Sequence, residues 1–313
     1  MFKKQLTICL PHPDTLITEN KLFRNSILTK IQTHLEKQPK LPEILQKNIA
    51  TKWRTIEITP ALVYYSYALK SQDLPIELLI DSCEEKFESP FSLITASYSK
   101  WVKNVIILQN NSLDRGEEKN TLIHTFNENI DLQKKSFQQA FLFLKQNWPE
   151  SAFCIETMIK CIILVDSEAF WSSSVPIYQG AILVAPKSHW NLIHYVETLV
   201  HESAHQELNI RRMLDPLIKN PKEIAYSSFR KSNRPLLGIL HAAFVLIRTK
   251  RALSFFQPHH LQQQMHNCID MQKNFSYHLK ESLQVLEKSA RFTSIGNQLF
   301  KNMCLEAETV LCK

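Results

Sequence analysis

Apolar positions recur at helical spacing through most of this chain, and the exceptions gather in two short segments. In the first half, prolines separate stretches that read as helices: residues 19–37, then 42–70 with an interruption at Pro60, then 75–87. The run WVKNVIILQ, from Trp101 to Gln109, suits helix and strand alike. Residues 120–147 mix polar and apolar positions at helical spacing and stop before Pro149.

Beyond Pro149 the character changes. CIILVDS (161–167) and GAILVAP (180–186) are short apolar runs bounded by Ser, Pro and Gly, the first rich in β-branched residues, and predict two strands. Residues 189–214 then carry Ile193, Val196, Val200, Ala204 and Leu208 along one stripe, the mark of a long amphipathic helix. Pro216, Pro221 and Pro235 punctuate a polar stretch expected to be irregular. From Pro235 the run PLLGILHAAFVLIRTKRALSFF is strongly helical, with Pro suited to the first turn. Gly238 costs that helix about 1 kcal/mol relative to Ala, and close approach of a second helix is the expected reason for it. Two further helices are expected over 261–311, around Gly296.

Composition narrows the picture. With 313 residues, 44% of them hydrophobic and 21% charged, the chain can bury a sizeable core and is not disordered. Its 4 glycines stand far apart and form neither G-x-G-x-x-G nor G-x-x-x-x-G-K-[ST], which argues against nucleotide loops. The net charge of +7 is spread along the chain without a dense basic block, so no nucleic-acid partner is expected. Seven cysteines without a C-x-x-C pair suit reduced thiols. The short N-terminal apolar run is broken by Pro11 and Pro13, and no stretch reaches the roughly 18 apolar residues of a membrane span. A cytoplasmic protein without a membrane partner is the expectation.

The strongest chemical signal is His201-Glu202-Ser203-Ala204-His205. Two histidines four apart on a helix share a face, so both imidazoles can reach one divalent metal, with Glu202 beside them. Such a site usually takes a third protein ligand and keeps one or more positions open. The metzincin extension is absent, because its glycine position holds Leu208 and its third histidine position Arg211. Two candidates remain: Glu223, in the polar connection, and His241, inside an otherwise apolar helix next to small residues.

Three segments, SVPIYQGAILVAP (174–186), LVHESAH (199–205) and YSSFRKSNRPLLGILHAAF (226–244), together resemble the HExxH-motif peptide-modifying proteins of ribosomal-peptide biosynthesis, a family of 2-oxoglutarate-dependent peptide β-hydroxylases. The pattern P-x-x-x-G, L-x-H-E-x-x-H and Y-S-x-x-R-x-x-x-R-P-x-x-G-x-x-H is filled by Pro176, Gly180, Leu199, His201, Glu202, His205, Tyr226, Ser227, Arg230, Arg234, Pro235, Gly238 and His241. The likeness covers about residues 160–250; Phe229 stands where Trp is expected and Ala242 where Gly is frequent.

The resemblance implies Fe(II) on His201, His205 and His241, with Glu223 as the reserve third ligand. It implies 2-oxoglutarate and O2 as co-substrates, and hydroxylation at the β-carbon of a residue in a peptide or precursor-peptide substrate. Arg230 and Arg234 then become candidates for the distal carboxylate of 2-oxoglutarate, since a guanidinium holds a carboxylate through two parallel hydrogen bonds. Glu202 is a candidate catalytic residue: a general base in a zinc peptidase, an orienting group in a hydroxylase. A gluzincin-like zinc metallopeptidase and an inactive, metal-stabilised peptide-binding protein are the competing readings. The expected architecture is α+β and predominantly helical, with a small β-sheet packed on a zincin-like HExxH metal helix. Residues 1–150 are expected to form a helical scaffold or peptide-binding region and 151–313 the metal-binding catalytic region.

Overall fold

The computed structural model of the chain describes residues 9–35, 58–68, 82, 85–113, 123–126, 129–168, 170–256 and 265–312. Among the described residues the protein is α-rich, 64% helical, with a small mixed sheet, consistent with an α+β class. Nine helices occur among the described residues: α1 (Pro13–Leu35), α2 (Pro60–Ala68), α3 (Lys100–Leu113), α4 (Ile130–Asn147), α5 (Pro149–Met158), α6 (Leu192–Leu214), α7 (Leu236–Leu253), α8 (Met265–Ser289) and α9 (Ser294–Leu311). Of the stretch expected as helix over 42–70, residues 60–68 form α2 and 42–57 lie outside the described residues; of that expected over 75–87 only 82 and 85–87 are described, and 85–87 are not helical. Among the described residues no helix is long and apolar enough to cross a membrane.

The chain divides into two compact units, each discontinuous in sequence: one from 1–18, 129–157 and 187–313, the other from 19–128 and 158–186. The second unit holds the larger sheet, built from β1 (Ser92–Ile94), β2 (His124–Thr125), β3 (Cys161–Asp166), β4 (Ser172–Ser173) and β5 (Ala181–Val184). β3 pairs in parallel with β1 and β5 and antiparallel with β2, while β4 runs antiparallel to β5. Both expected strands are therefore present, and their unbroken apolar runs have a physical reason: Ile162 to Val165 and Ala181 to Val184 are wholly buried. Gly180 has φ +97°, a conformation that strains any other residue. Its carbonyl accepts from Lys160 and Cys161 N–H at 2.7 and 3.2 Å, setting the β3–β5 register.

The ambiguous run at 101–109 is helix. Trp101, Val102, Val105 and Ile106 are buried on one face of α3, while Ile107 is exposed, so the apolar residues follow the helical period. At the far end of α3, Asn110 clasps the backbone of Ile123 through both amide atoms, at 2.8 and 3.1 Å, and thereby holds the approach to β2. That segment corrects the expectation of helix from 120, because α4 begins only at Ile130, where Asn129 caps Asp131 and Leu132 N–H groups.

The first unit is a helical layer. α6 packs on α4 and α7, and α7 packs on α8 and α9. Residues 215–235, expected to be irregular, contain a hairpin of β6 (Ile224–Ser227) and β7 (Ser232–Pro235), with register Ala225 to Arg234 and Tyr226 to Asn233. Its turn has no glycine; Lys231 takes the positive φ of 50°, and Ser227 Oγ accepts from Arg230 N–H at 3.4 Å. The hairpin packs on α7 and α8. The reason expected for Gly238 is not found, since a Cβ there would meet nothing within 4 Å. Gly296 is the close-approach glycine: a Cβ would stand 1.9 Å from the carbonyl oxygen of Leu217. The same carbonyl accepts from Thr293 N–H at 3.0 Å, tying the connection after α6 to the start of α9.

Candidate metal centre

The candidate residues ride on α6 and α7. Asn191 opens α6 with a reciprocal cap, accepting from Ile193 N–H while His194 Nδ1 accepts from Asn191 N–H at 3.2 Å. The helix is then gripped from its buried sides. Tyr195 donates to Gln133 Oε1 of α4 at 2.8 Å and meets Phe137 edge-on at 4.9 Å. Glu207, wholly buried, receives Arg248 of α7 through two contacts of 2.6 and 2.9 Å and Arg211 of its own helix. Cys154 donates its thiol to Glu207 Oε2 at 3.2 Å, and Arg248 Nε reaches the Cys9 carbonyl at 2.9 Å. This charge cluster ties α6 to α7, the two helices that carry the histidines.

His201, His205 and His241 come together in a row. His201 Nε2 lies 3.2 Å from His205 Nε2, and His205 Nδ1 lies 3.1 Å from His241 Nδ1. Two residues not singled out in the sequence extend the row at its ends. Glu197 Oε1 accepts from His201 Nδ1 at 3.0 Å, and Arg212 Nη1 donates to His241 Nε2 at 3.3 Å. Both sat on the face already identified, four residues before His201 and seven after His205, where helical periodicity would have found them.

Two nitrogens bound to one ion at about 2.0–2.1 Å stand about 2.9–3.4 Å apart, so the 3.2 Å pair of His201 and His205 fits a shared divalent metal. Glu197 behind His201 makes a carboxylate–histidine pair, which would fix the nitrogen left free for a metal. His241 instead addresses the other nitrogen of His205. For that reason, among the described residues, no three His, Cys, Asp or Glu side chains stand in a ligand array.

Electrostatics separates the three rings. Burial lowers His205 well below the ordinary histidine value, reinforced by His201, His241 and Arg230. Burial also lowers His241 to about 3, with Arg212 adding to it. Burial opposes the charged form of His201 too, but Glu197 outweighs it and holds that pKa above 6.5. His205 and His241 stay neutral in the fold while the unfolded chain takes up their protons near pH 6.5 and below, so acid favours the unfolded state. His201 acts in the opposite sense only above pH 6.5. Metal-free protein is expected to lose stability from pH 6.5 towards 5, with a slope of up to about 1.4 kcal/mol per pH unit for each depressed histidine. Urea unfolding in chelator across that range checks it, with a shallower slope in His241→Phe; a flat profile in the wild type would contradict the assignment.

The remaining candidates separate. Glu202 is buried, 2% exposed, and interacts electrostatically with His201 and Arg230. Arg230, at the hairpin turn, reaches the centre electrostatically and lies 5.5 Å over the Phe229 ring. Arg234 is exposed, and its Nε donates to Ser232 Oγ at 3.3 Å. Glu223 is exposed at the foot of the hairpin, its carboxylate accepting from Asn220 Nδ2 at 2.6 Å. Asn220 also binds Ser289 O and Arg291 N–H, so Glu223 belongs to a brace between the hairpin and the end of α8. Tyr226 is 57% exposed on the outer face of β6. Comparison with protein-family models and with curated proteins finds no match.

Proposed function

We propose that the protein is an Fe(II)- and 2-oxoglutarate-dependent hydroxylase acting on the β-carbon of a residue in a peptide or protein substrate, in a zincin-like site turned to oxygenase use. The observation that supports it most is the convergence of His201, His205 and His241 from two helices, backed by Glu197 and flanked by Arg212 and Arg230. A three-nitrogen donor set with cations around it suits a divalent metal that also takes an anionic co-substrate. A ribosomally made precursor peptide is the substrate class that the sequence resemblance suggests, and the cytoplasm its setting.

In this reading His201, His205 and His241 hold the iron, and O2 with 2-oxoglutarate supplies the oxidising power when the metal is bound. Glu197 keeps the proton on His201 Nδ1, so that Nε2 faces the ion. The burial that depresses His205 and His241 keeps both rings neutral, the form that can ligate. Glu202, beside His201 and Arg230, orients rather than abstracts, because hydroxylation needs no base for a metal-bound water. Arg230 would meet the distal carboxylate. Arg234, exposed on β7, is left to the outer rim, where a peptide substrate would pass.

Glu202 next to the histidine pair is also what a zinc peptidase would require, so the test must separate the two. Fe(II)-loaded protein is titrated with 2-oxoglutarate without oxygen, while the visible metal-to-ligand charge-transfer band is followed. A saturable band is expected in the wild type and a lost or much weakened one in His241→Ala. No band, with zinc retained through purification, would overturn the oxygenase reading in favour of the peptidase; a band that survives in His241→Ala would remove His241 from the ligand set.

A further inference from the structure

Among the described residues the β6–β7 hairpin is a sheet of two strands, so each strand has an edge without a further neighbour. Its register determines which backbone groups point there. Leu236 N–H donates to the Glu223 carbonyl at 2.8 Å, which makes residues 223 and 236 a hydrogen-bonded pair. Bonded and non-bonded pairs alternate along an antiparallel ladder. Ala225 with Arg234 and Ser227 with Ser232 are then bonded across the hairpin, while Ile224 with Pro235 and Tyr226 with Asn233 turn their backbone polar groups outward.

The two edges differ. On β7 the outward groups belong to Asn233 and Pro235, and a proline has no N–H to give, a common way to keep an edge from pairing. On β6 they belong to Ile224 and Tyr226, two donors and two acceptors, and among the described residues none of them has a hydrogen-bond partner. They repeat at roughly 6.8 Å along the strand, the two-residue repeat of any extended chain. The side chains of Ile224 and Tyr226 are each 57% exposed and, with Asn233 and Pro235 opposite, make an uncharged face. Cations surround it. Lys222, Arg230, Lys231 and Arg234 are exposed on the hairpin and at its foot, against one carboxylate, Glu223, which Asn220 already engages.

We infer that the β6 edge is a docking site for an extended acidic segment of a peptide or protein, which adds to the hairpin as a third strand through the backbone of Ile224 and Tyr226. An extended backbone is the occupant because it offers donors and acceptors at the matching repeat, and an acidic one because of the cations around it. β6 runs towards the turn that carries Arg230, whose charge is felt at His205 and Glu202, so a segment bound on β6 leads towards the candidate centre. The inference rests on the reading of the substrate as a peptide and adds where and how that peptide is held.

Fluorescence anisotropy of the metal-free protein tests it, so that the result depends neither on a metal nor on a reaction. The probe is a labelled peptide of about ten residues with Glu and Val alternating. It is expected to bind the wild type, more weakly as salt is raised, whereas its Lys–Val counterpart is not. Copies N-methylated at all valines or at all glutamates should part, because each set of N–H groups lies on one edge of the added strand, so one copy loses binding and the other keeps it. Ile224→Pro removes an outward N–H and no ladder bond, and should weaken binding about tenfold. Ile224→Val, and Asn233→Pro on the opposite edge, should stay within about twofold of the wild type. Circular dichroism and thermal melts check that the proline variants fold; if Ile224→Pro does not, the two methylated copies decide. No binding by the wild type, equal binding of the two methylated copies, or wild-type affinity in folded Ile224→Pro overturns the inference. So does a wild-type dimer that Ile224→Pro makes monomeric, which would give the edge to a second copy of this chain. Probe binding without the charge-transfer band described above would instead strike the hydroxylase reading and leave the docking site standing.

Discussion

Replacing Glu207 by Gln is expected to cost about 3–5 kcal/mol of stability, a large share of the about 5–15 kcal/mol by which a folded protein is usually stable. The reason is the company that Glu207 keeps. Its carboxylate, with no solvent exposure, is the shared anion of two guanidiniums, Arg211 and Arg248, which are 0% and 1% exposed. Burial alone would raise the Glu207 pKa, but Arg248 and Arg211 together hold it below the ordinary carboxylate value. With a neutral side chain in its place, two cations remain in the interior without an anion, and hydrogen bonds to Arg248 at 2.6 and 2.9 Å are weakened. Urea unfolding measures the loss. A triple variant, Glu207→Leu with Arg211→Leu and Arg248→Met, should recover most of it, because removing a buried ionic group entirely is far less costly than orphaning it. A Glu207→Gln protein within 1 kcal/mol of the wild type would mean that water reaches the cluster. The effect should extend to the centre, since this cluster ties α6 to α7 and with them His205 to His241.

Replacing His205 by Ala is expected to abolish tight metal binding, a larger loss than the about 10–100-fold given up when only an orienting partner such as Glu197 is changed. His205 is the middle of the row, in contact with both other rings, so no two of the remaining nitrogens are adjacent without it. Stability should change little, because a ring whose protonation burial already penalises is being removed. Equilibrium dialysis against Fe(II) or Co(II), read beside far-UV circular dichroism, separates the two quantities. Retention of a metal at wild-type affinity by folded His205→Ala would place the ligands elsewhere.

How much of this was legible in the sequence varies with the physics of each segment. The strands β3 and β5 announced themselves, because a strand buried on both faces is an unbroken apolar run between turn residues. The helix α6 did so through a stripe at helical spacing; Gly296 did not, for it lies inside α9 rather than between two helices, and its approach to Leu217 is tertiary. The β6–β7 hairpin was hidden. Its strands are short and polar, carry Ile224 and Tyr226 outward, and are joined by a turn without glycine, so neither alternation nor turn chemistry marked them. Gly238 misled, because a glycine within an apolar helix usually signals close packing and this one faces open space.

The same division runs through the candidate centre. Helical periodicity placed His201 and His205 on one face from local geometry alone, and it placed Glu197 and Arg212 there as well. What it lacked was a way to tell Glu197 from a solvated acid, or Arg212 from Arg211, its neighbour in a basic last turn. The two arginines part in the fold, one into the buried cluster with Glu207 and the other towards His241. Local sequence thus determined the elements, their apolar faces and the spacing of the first two histidines, since these depend on interactions within a few residues. The tertiary structure alone decided that His241 meets His205 across 36 positions of chain, and which charges are buried with partners. Both depend on how α6 and α7 pack, and that packing is set by burial and by the Glu207–Arg248 lock between residues far apart in sequence.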